Sequence, residues 1–106
     1  MKDYVQGGTL TEVTDLILLS LYEPRHGYAI IQFVEEVTNG RVLLGAGTLY
    51  GALSSLEEKG WKLQSTESTS RKKVYLITSS GKEAVQTEID RLHQLIDLAE
   101  RISKEI

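Results

Sequence analysis

Cysteine is missing from all 106 residues, which excludes a disulfide framework and any thiolate metal site. Histidine occurs only as His26 and His93, and no second histidine lies at metal-binding spacing from either. Long apolar runs are missing too. Nothing approaches the length of a membrane span, and the N-terminal stretch has no apolar signal-like segment. There is no nucleophile–base pair, no carboxylate dyad in an apolar setting and no phosphate-loop motif, so no enzyme class finds support. Neither a metal nor a cofactor is expected, and the absence of cysteine fits a reducing cytoplasm.

What is present is ordinary in bulk, with 41% hydrophobic and 25% charged residues, and suits one globular domain. A chain this short buries only a modest core, so an exposed apolar stripe is expected to find a partner. The net charge of −3 argues against nucleic acid until its distribution is considered. Residues 1–40 carry two basic and six acidic side chains, and residues 83–106 carry three and six. Residues 41–82 reverse this, with Arg41, Lys59, Lys62, Arg71, Lys72, Lys73 and Lys82 against Glu57, Glu58 and Glu67. A phosphate-binding surface needs local positive charge, not a basic whole.

Residues 10–22, LTEVTDLILLSLY, predict a helix capped by Thr9 or Thr11 and stopped by Glu23-Pro24. A second helix is predicted over 26–38, with Ile30, Phe33, Val34 and Val37 at helical spacing and Asn39-Gly40 as its stop. A third is predicted over 47–59, with Leu49, Ala52, Leu53 and Leu56 on one face and Gly60 beyond its end. The period then changes: 61–66 and 73–77 alternate as strands around a small polar loop. Tyr75 and Leu76 read as strand packing. Residues 80–105 contain no proline and no glycine after Gly81, which predicts one long helix. Its residues Val85, Ile89, Leu92, Ile96, Ala99 and Ile102 recur at spacings suited to a seam against another helix. Leu95 and Leu98 widen that seam. His26 reads as a helix cap or surface residue, and His93 as an interface or solvent residue. Three helices, a ribbon and a helix are the order of a winged helix-turn-helix.

The start of the third helix is unusual. GAGTLYG, residues 45–51, places three glycines around Thr48 and Tyr50. At about 100° per residue, Gly47, Thr48, Gly51, Ser54 and Ser55 face away from the leucines. A helix meant only for solvent would carry Lys, Glu or Gln there. Small residues allow close approach, and a helix N-terminus presents free amides to a phosphate. In a helix-turn-helix this end of the third helix faces base edges. A loose turn explains Gly45 and Gly47 equally well when they are taken alone. Arg71-Lys72-Lys73, at the junction of loop and strand, adds three positive charges where a wing would pass the DNA backbone.

The sequence resembles the PadR family of bacterial transcriptional regulators from about residue 10 to its end. The resemblance rests on His26-Gly27-Tyr28-Ala29-Ile30, on Gly47-Thr48-Leu49-Tyr50 with Leu53, Leu56, Glu57 and Gly60, and on the run from Arg71 to Thr78 with Gly81. It implies a homodimeric repressor whose last helix crosses to the other subunit. It also implies release from DNA by an aromatic or drug-like effector. Tyr28 and Tyr50 then look like DNA-backbone contacts, Gly47 and Thr48 like the close-approach end of the recognition helix, and Arg71 and Lys72 like wing contacts. The chain departs from the family pattern at Gly51, where proline is frequent, and at Trp61, where a small aliphatic residue is frequent. The last helix has no aromatic residue, so a stacking platform for flat drugs on that helix is not expected.

The expectation is therefore an α+β, mainly α fold: a winged helix-turn-helix DNA-binding domain over 1–78 and a long C-terminal dimerisation helix over 79–106. Its DNA-binding residues are expected to be Tyr28, Gly47, Thr48, Tyr50, Gly51, Ser54, Arg71, Lys72 and Lys73, and its partners double-stranded DNA and a second copy, with no membrane. The competing expectation is a winged helix used for protein interaction, with the basic wing incidental. Salt separates the two, because phosphate binding weakens steeply as salt rises.

Overall fold

The first two helices begin on side-chain caps, and the second and third end at glycines in the left-handed region. A computed structural model describes residues 11–64 and 72–105. Helix α1, Glu12–Ser20, is capped by Thr11, whose hydroxyl accepts the N–H of Thr14 at 3.2 Å. Helix α2, Gly27–Val37, is capped by His26, whose Nδ1 accepts the N–H of Ala29 at 3.3 Å. It stops where Asn39 and Gly40 turn left-handed at φ 52° and 80°, and the Gly40 N–H donates back to the Glu35 carbonyl at 2.9 Å. Helix α3, Ala46–Glu58, has Gly45 as N-cap with no side-chain hydrogen bond, and ends at Gly60, φ 77°.

Between α1 and α2 lies a two-residue strand, β1, Arg25–His26. The helix expected from residue 26 therefore starts one residue later, with His26 extended. Strands β2, Lys62–Gln64, and β3, Val74–Ile77, form the ribbon. The sheet order is β1-β3-β2, antiparallel throughout, with Lys62 opposite Ile77 and Arg25 opposite Tyr75. Residues 65–71, with Arg71 among them, lie outside the described residues. Helix α4, Ser79–Glu105, runs for 27 residues, about 40 Å at 1.5 Å per residue, and gives the chain its 58 Å long dimension.

The core joins Ile17, Leu18 and Leu21 near α1, Ile30 and Val34 of α2, and Leu49, Leu53 and Leu56 of α3, with Ile77 and Val85 closing it. Burying each such side chain stabilises the fold by about 1.5–3 kcal/mol. Trp61 packs against this core, and the Lys59 ammonium covers its ring at 4.9 Å. Val85 corrects one expectation. It is 5% exposed inside the chain's own core, so the exposed apolar stripe of α4 begins beyond it.

Helices α1 and α4 meet through carboxyl groups. Glu88, on the buried face of α4, receives a two-pronged bond from Arg91 at 3.0 and 2.7 Å. Asp15 of α1 faces it, with Oδ1 buried and unpartnered. Burial first, then the neighbouring Glu88 charge, raises the Asp15 carboxyl to about 6, against a smaller opposing pull from Arg91 and a small push from Glu12. A pKa higher in the folded than in the unfolded chain means that the folded state holds the proton more tightly. The stability this proton brings is present below about pH 4 and is lost as pH rises through 6. Asn at this position cannot ionise. Melting curves of Asp15→Asn and the parent should nearly coincide at about pH 3.5 and separate at about pH 7.5, with the variant several degrees higher. Parallel curves across that range would show that no proton is linked to folding here.

Candidate nucleic-acid interface

The outward face of α3 is bare along its first turns. Gly47, Thr48, Gly51, Ser54 and Ser55 are all exposed, while Leu49, Leu53 and Leu56 are sunk in the core. A Cβ added at Gly45, Gly47 or Gly51 would meet nothing within 4 Å, and none of the three has a positive φ. Neither packing nor backbone geometry therefore requires glycine at these positions. The glycines leave this face flat and open.

Tyr50 stands at the flank of this face, 52% exposed. Its hydroxyl lies 2.5 Å from where a Cβ of Gly27 would stand, so glycine at the start of α2 makes room for the phenol. Tyr28 follows in the first turn of α2, 64% exposed. It borders an open groove with Gln32, Glu35, Glu36 and Asn39, and two carboxylates make the remainder of that groove hostile to a phosphate.

On the other flank, α3 and the sheet enclose a recess of about 270 Å³ lined by Tyr50, Leu53, Ser54, Glu57, Lys62, Lys73 and Tyr75. The fold thus brings together three of the expected site residues, Tyr50, Ser54 and Lys73, and sets beside them the core residue Leu53 and three polar ones outside the expected site, Glu57, Lys62 and Tyr75. Lys62 is the least foreseeable. Its side chain is 5% exposed, with Nζ 3.3 Å from Glu57 and 4.3 Å from the centre of the Tyr75 ring. Burial first, then the proximity of Tyr50 and Glu57, raises the Tyr75 hydroxyl above the usual phenol value, so it keeps its proton as a donor. Lys72 is exposed beside Lys73. Arg71 lies outside the described residues, so its expected wing contact has no structural counterpart.

Helix α4 carries the second surface. From Leu92 to Lys104 every residue is exposed, including Ile96, Ala99 and Ile102 of the expected seam and His93. Ile89 lies at the margin, and Leu95 and Leu98 broaden the stripe. No helix among the described residues is long and apolar enough to cross a membrane.

A sequence model of the transcriptional regulator PadR-like family matches residues 16–87, a span from α1 through both flanks of the recess into α4. The chain belongs to the PadR-like family of transcriptional regulators. The solved structures it resembles agree. A transcriptional regulator from Clostridium thermocellum superposes with a TM-score of 0.73 at 22% identity, over 84% of this chain and 87% of that one. A PadR family regulator from Eggerthella lenta gives 0.70 at 24%, over 85% and 80%. RosR of H. salinarum, in a complex designated S1, gives 0.68 at 30%, over 90% and 87%. Among curated proteins, an uncharacterized 37.1 kDa protein in transposon TN4556 of Streptomyces fradiae is 37% identical over 81 residues. Those residues are 76% of this chain but 23% of that protein, so the chain spans about a quarter of its relative's length.

PadR-family regulators bind DNA. Gly47→Ala and Gly51→Ala should each stabilise the free protein by about 0.5–1 kcal/mol, because alanine has the higher helix propensity and meets no neighbour. Both should weaken DNA binding. Thermal melts alongside DNA-binding titrations would check the opposite signs, and a stabilised variant with undiminished affinity would remove close approach as the reason for the glycines.

Proposed function

We propose that the chain is a homodimeric, cytoplasmic repressor whose α3 enters the major groove of an operator. The observation that carries this reading is the outward face of α3, bare of large side chains for two turns and flanked by Tyr50 and Lys73. Residues 1–78 form the DNA-binding unit in this proposal, and α4 pairs with α4 of a second copy through Leu92, Ile96, Ala99 and Ile102. Two recognition helices held in this way read half-sites about one helical turn, or about 34 Å, apart. An aromatic or drug-like effector that changed the α4 crossing would move the two readers out of register and lower affinity through linkage.

Fluorescence anisotropy on DNA from upstream of its own gene, against scrambled DNA, tests this over a salt series. Expected is preference for the native DNA, with affinity falling about a hundredfold or more between about 50 and 200 mM salt. Equal and salt-insensitive behaviour on both DNAs would favour a protein-interaction module instead. A separate expectation concerns the dimer. Ile96→Glu places a charge in the apolar stripe without touching the core, so sedimentation should show a folded monomer, and operator affinity should fall by about two orders of magnitude as the second half-site is lost. A variant that still sediments as a dimer would place the interface elsewhere.

A further inference from the structure

We propose that the recess between α3 and the sheet is a seat for one phosphodiester group of the DNA backbone, with Tyr75 as a binding residue beside Lys73 and Lys62 as a positioning residue beneath them. This rests on the DNA-binding reading above and goes beyond it by assigning Tyr75, Lys62 and Glu57, which strand packing alone would leave without a polar task. The residues that line the recess include three that carry hydroxyls, Tyr50, Ser54 and Tyr75, and two that carry ammonium groups, Lys62 and Lys73. Its one carboxylate, Glu57, is bonded to Lys62 at 3.3 Å. That leaves a surplus of donors and one net positive charge, which suits a singly charged phosphodiester. At about 270 Å³ the space falls below the range of about 300–1,000 Å³ typical of drug-sized ligands, and a phosphate needs far less than a base pair would.

The two lysines divide the work. Lys73 is exposed and can follow the backbone. Lys62 is buried, and a buried ammonium is tolerated only when paired. Its carboxylate partner comes from α3 and the aromatic ring over it from β3. It thereby ties the recognition helix to the wing and props the Tyr75 phenol at the recess. A phosphate held by residues of both elements sets how deeply α3 can enter the groove.

The test uses the full chain and the two DNAs already named, with melting temperatures as a check on folding. Tyr75→Phe keeps the ring and removes one donor. It should weaken binding to native and scrambled DNA alike by about five- to twentyfold, since phosphate contacts carry no sequence information. Lys73→Gln should do the same and also make the salt dependence shallower by about one per protomer. The double variant should lose less than the product of the single losses, because both groups hold one phosphate. Lys62→Met should weaken binding with the salt slope unchanged, and Lys62→Arg should recover part of the loss. If the wild type binds DNA and Tyr75→Phe and Lys73→Gln bind as well as it does, the seat is refuted and the DNA reading stands. If Tyr75→Phe loses affinity only on native DNA, the tyrosine reads a base and the seat is likewise refuted. If the wild type shows no salt-dependent binding, the DNA reading falls first and the seat with it.

Discussion

The molecule depends on one crowded crossing, where the chain leaves β3 and enters α4. The Thr78 N–H donates to the Trp61 carbonyl at 3.0 Å, and the Thr78 hydroxyl donates to the Gly60 carbonyl at 2.7 Å while accepting the N–H of Gly81 at 3.0 Å. One threonine therefore closes the ribbon, fastens it to the end of α3 and caps α4. A Cβ at Gly81 would stand 2.5 Å from the Trp61 carbonyl oxygen and 2.7 Å from an Ile77 side-chain carbon, so only glycine lets α4 pass this close. Just before the crossing, the Ile77 N–H donates to the Leu21 carbonyl at 2.9 Å, which brings the end of α1 into the same knot. The direction in which α4 departs is thereby fixed against the end of α3.

Charge is partitioned around this junction. On the α1–α4 side, Asp15 and Glu88 sit together with Arg91, and Glu12 is paired with Arg41 nearby. That pairing holds the Glu12 carboxyl below its ordinary value. On the α3–sheet side, Lys62, Lys73 and two phenols converge around one carboxylate. The overall charge of −3 is thus a sum over faces of opposite character. A polyanion approaching such a chain is attracted at the recess and repelled at the acidic flank of α2, where Glu35 and Glu36 stand. At 0.1 M salt each such field is screened over about 10 Å, so the faces act separately.

The helices were legible because their signals are local: leucines at 3.6-residue spacing, Thr11 and His26 at starts, Asn39-Gly40 and Gly60 at stops. Strand β1 was not, since two residues are too short to show alternation, and its pairing with Arg25 opposite Tyr75 is set fifty residues away. Val85 illustrates a different limit. The apolar series of α4 continues unbroken from the core to the exposed stripe, and periodicity cannot mark where one chain's core ends and a partner's begins. Of the candidate site, the small residues of α3 and the basic run were visible in sequence. The burial of Lys62 was not, because a lysine in an alternating strand reads as solvent-facing. Only the fold shows that Glu57 and Tyr75 surround it.

Local consistency fails in one place, and the place is informative. Thr11, His26 and Thr78 give α1, α2 and α4 side-chain caps, whereas α3 starts on Gly45 with none and carries two more glycines in its first six residues. Each of the two glycines inside α3 costs it about 1 kcal/mol of helix propensity, and the three leucines beneath it more than offset that. The core thus holds α3 in place from one side and leaves its opposite side free of any structural demand. Natural sequences break local rules mainly where function requires it. Here the break coincides with the end of the helix that bears Tyr50 and adjoins the recess. A stabler start to α3 was available to this sequence at each glycine, and the fold gives no reason to refuse it.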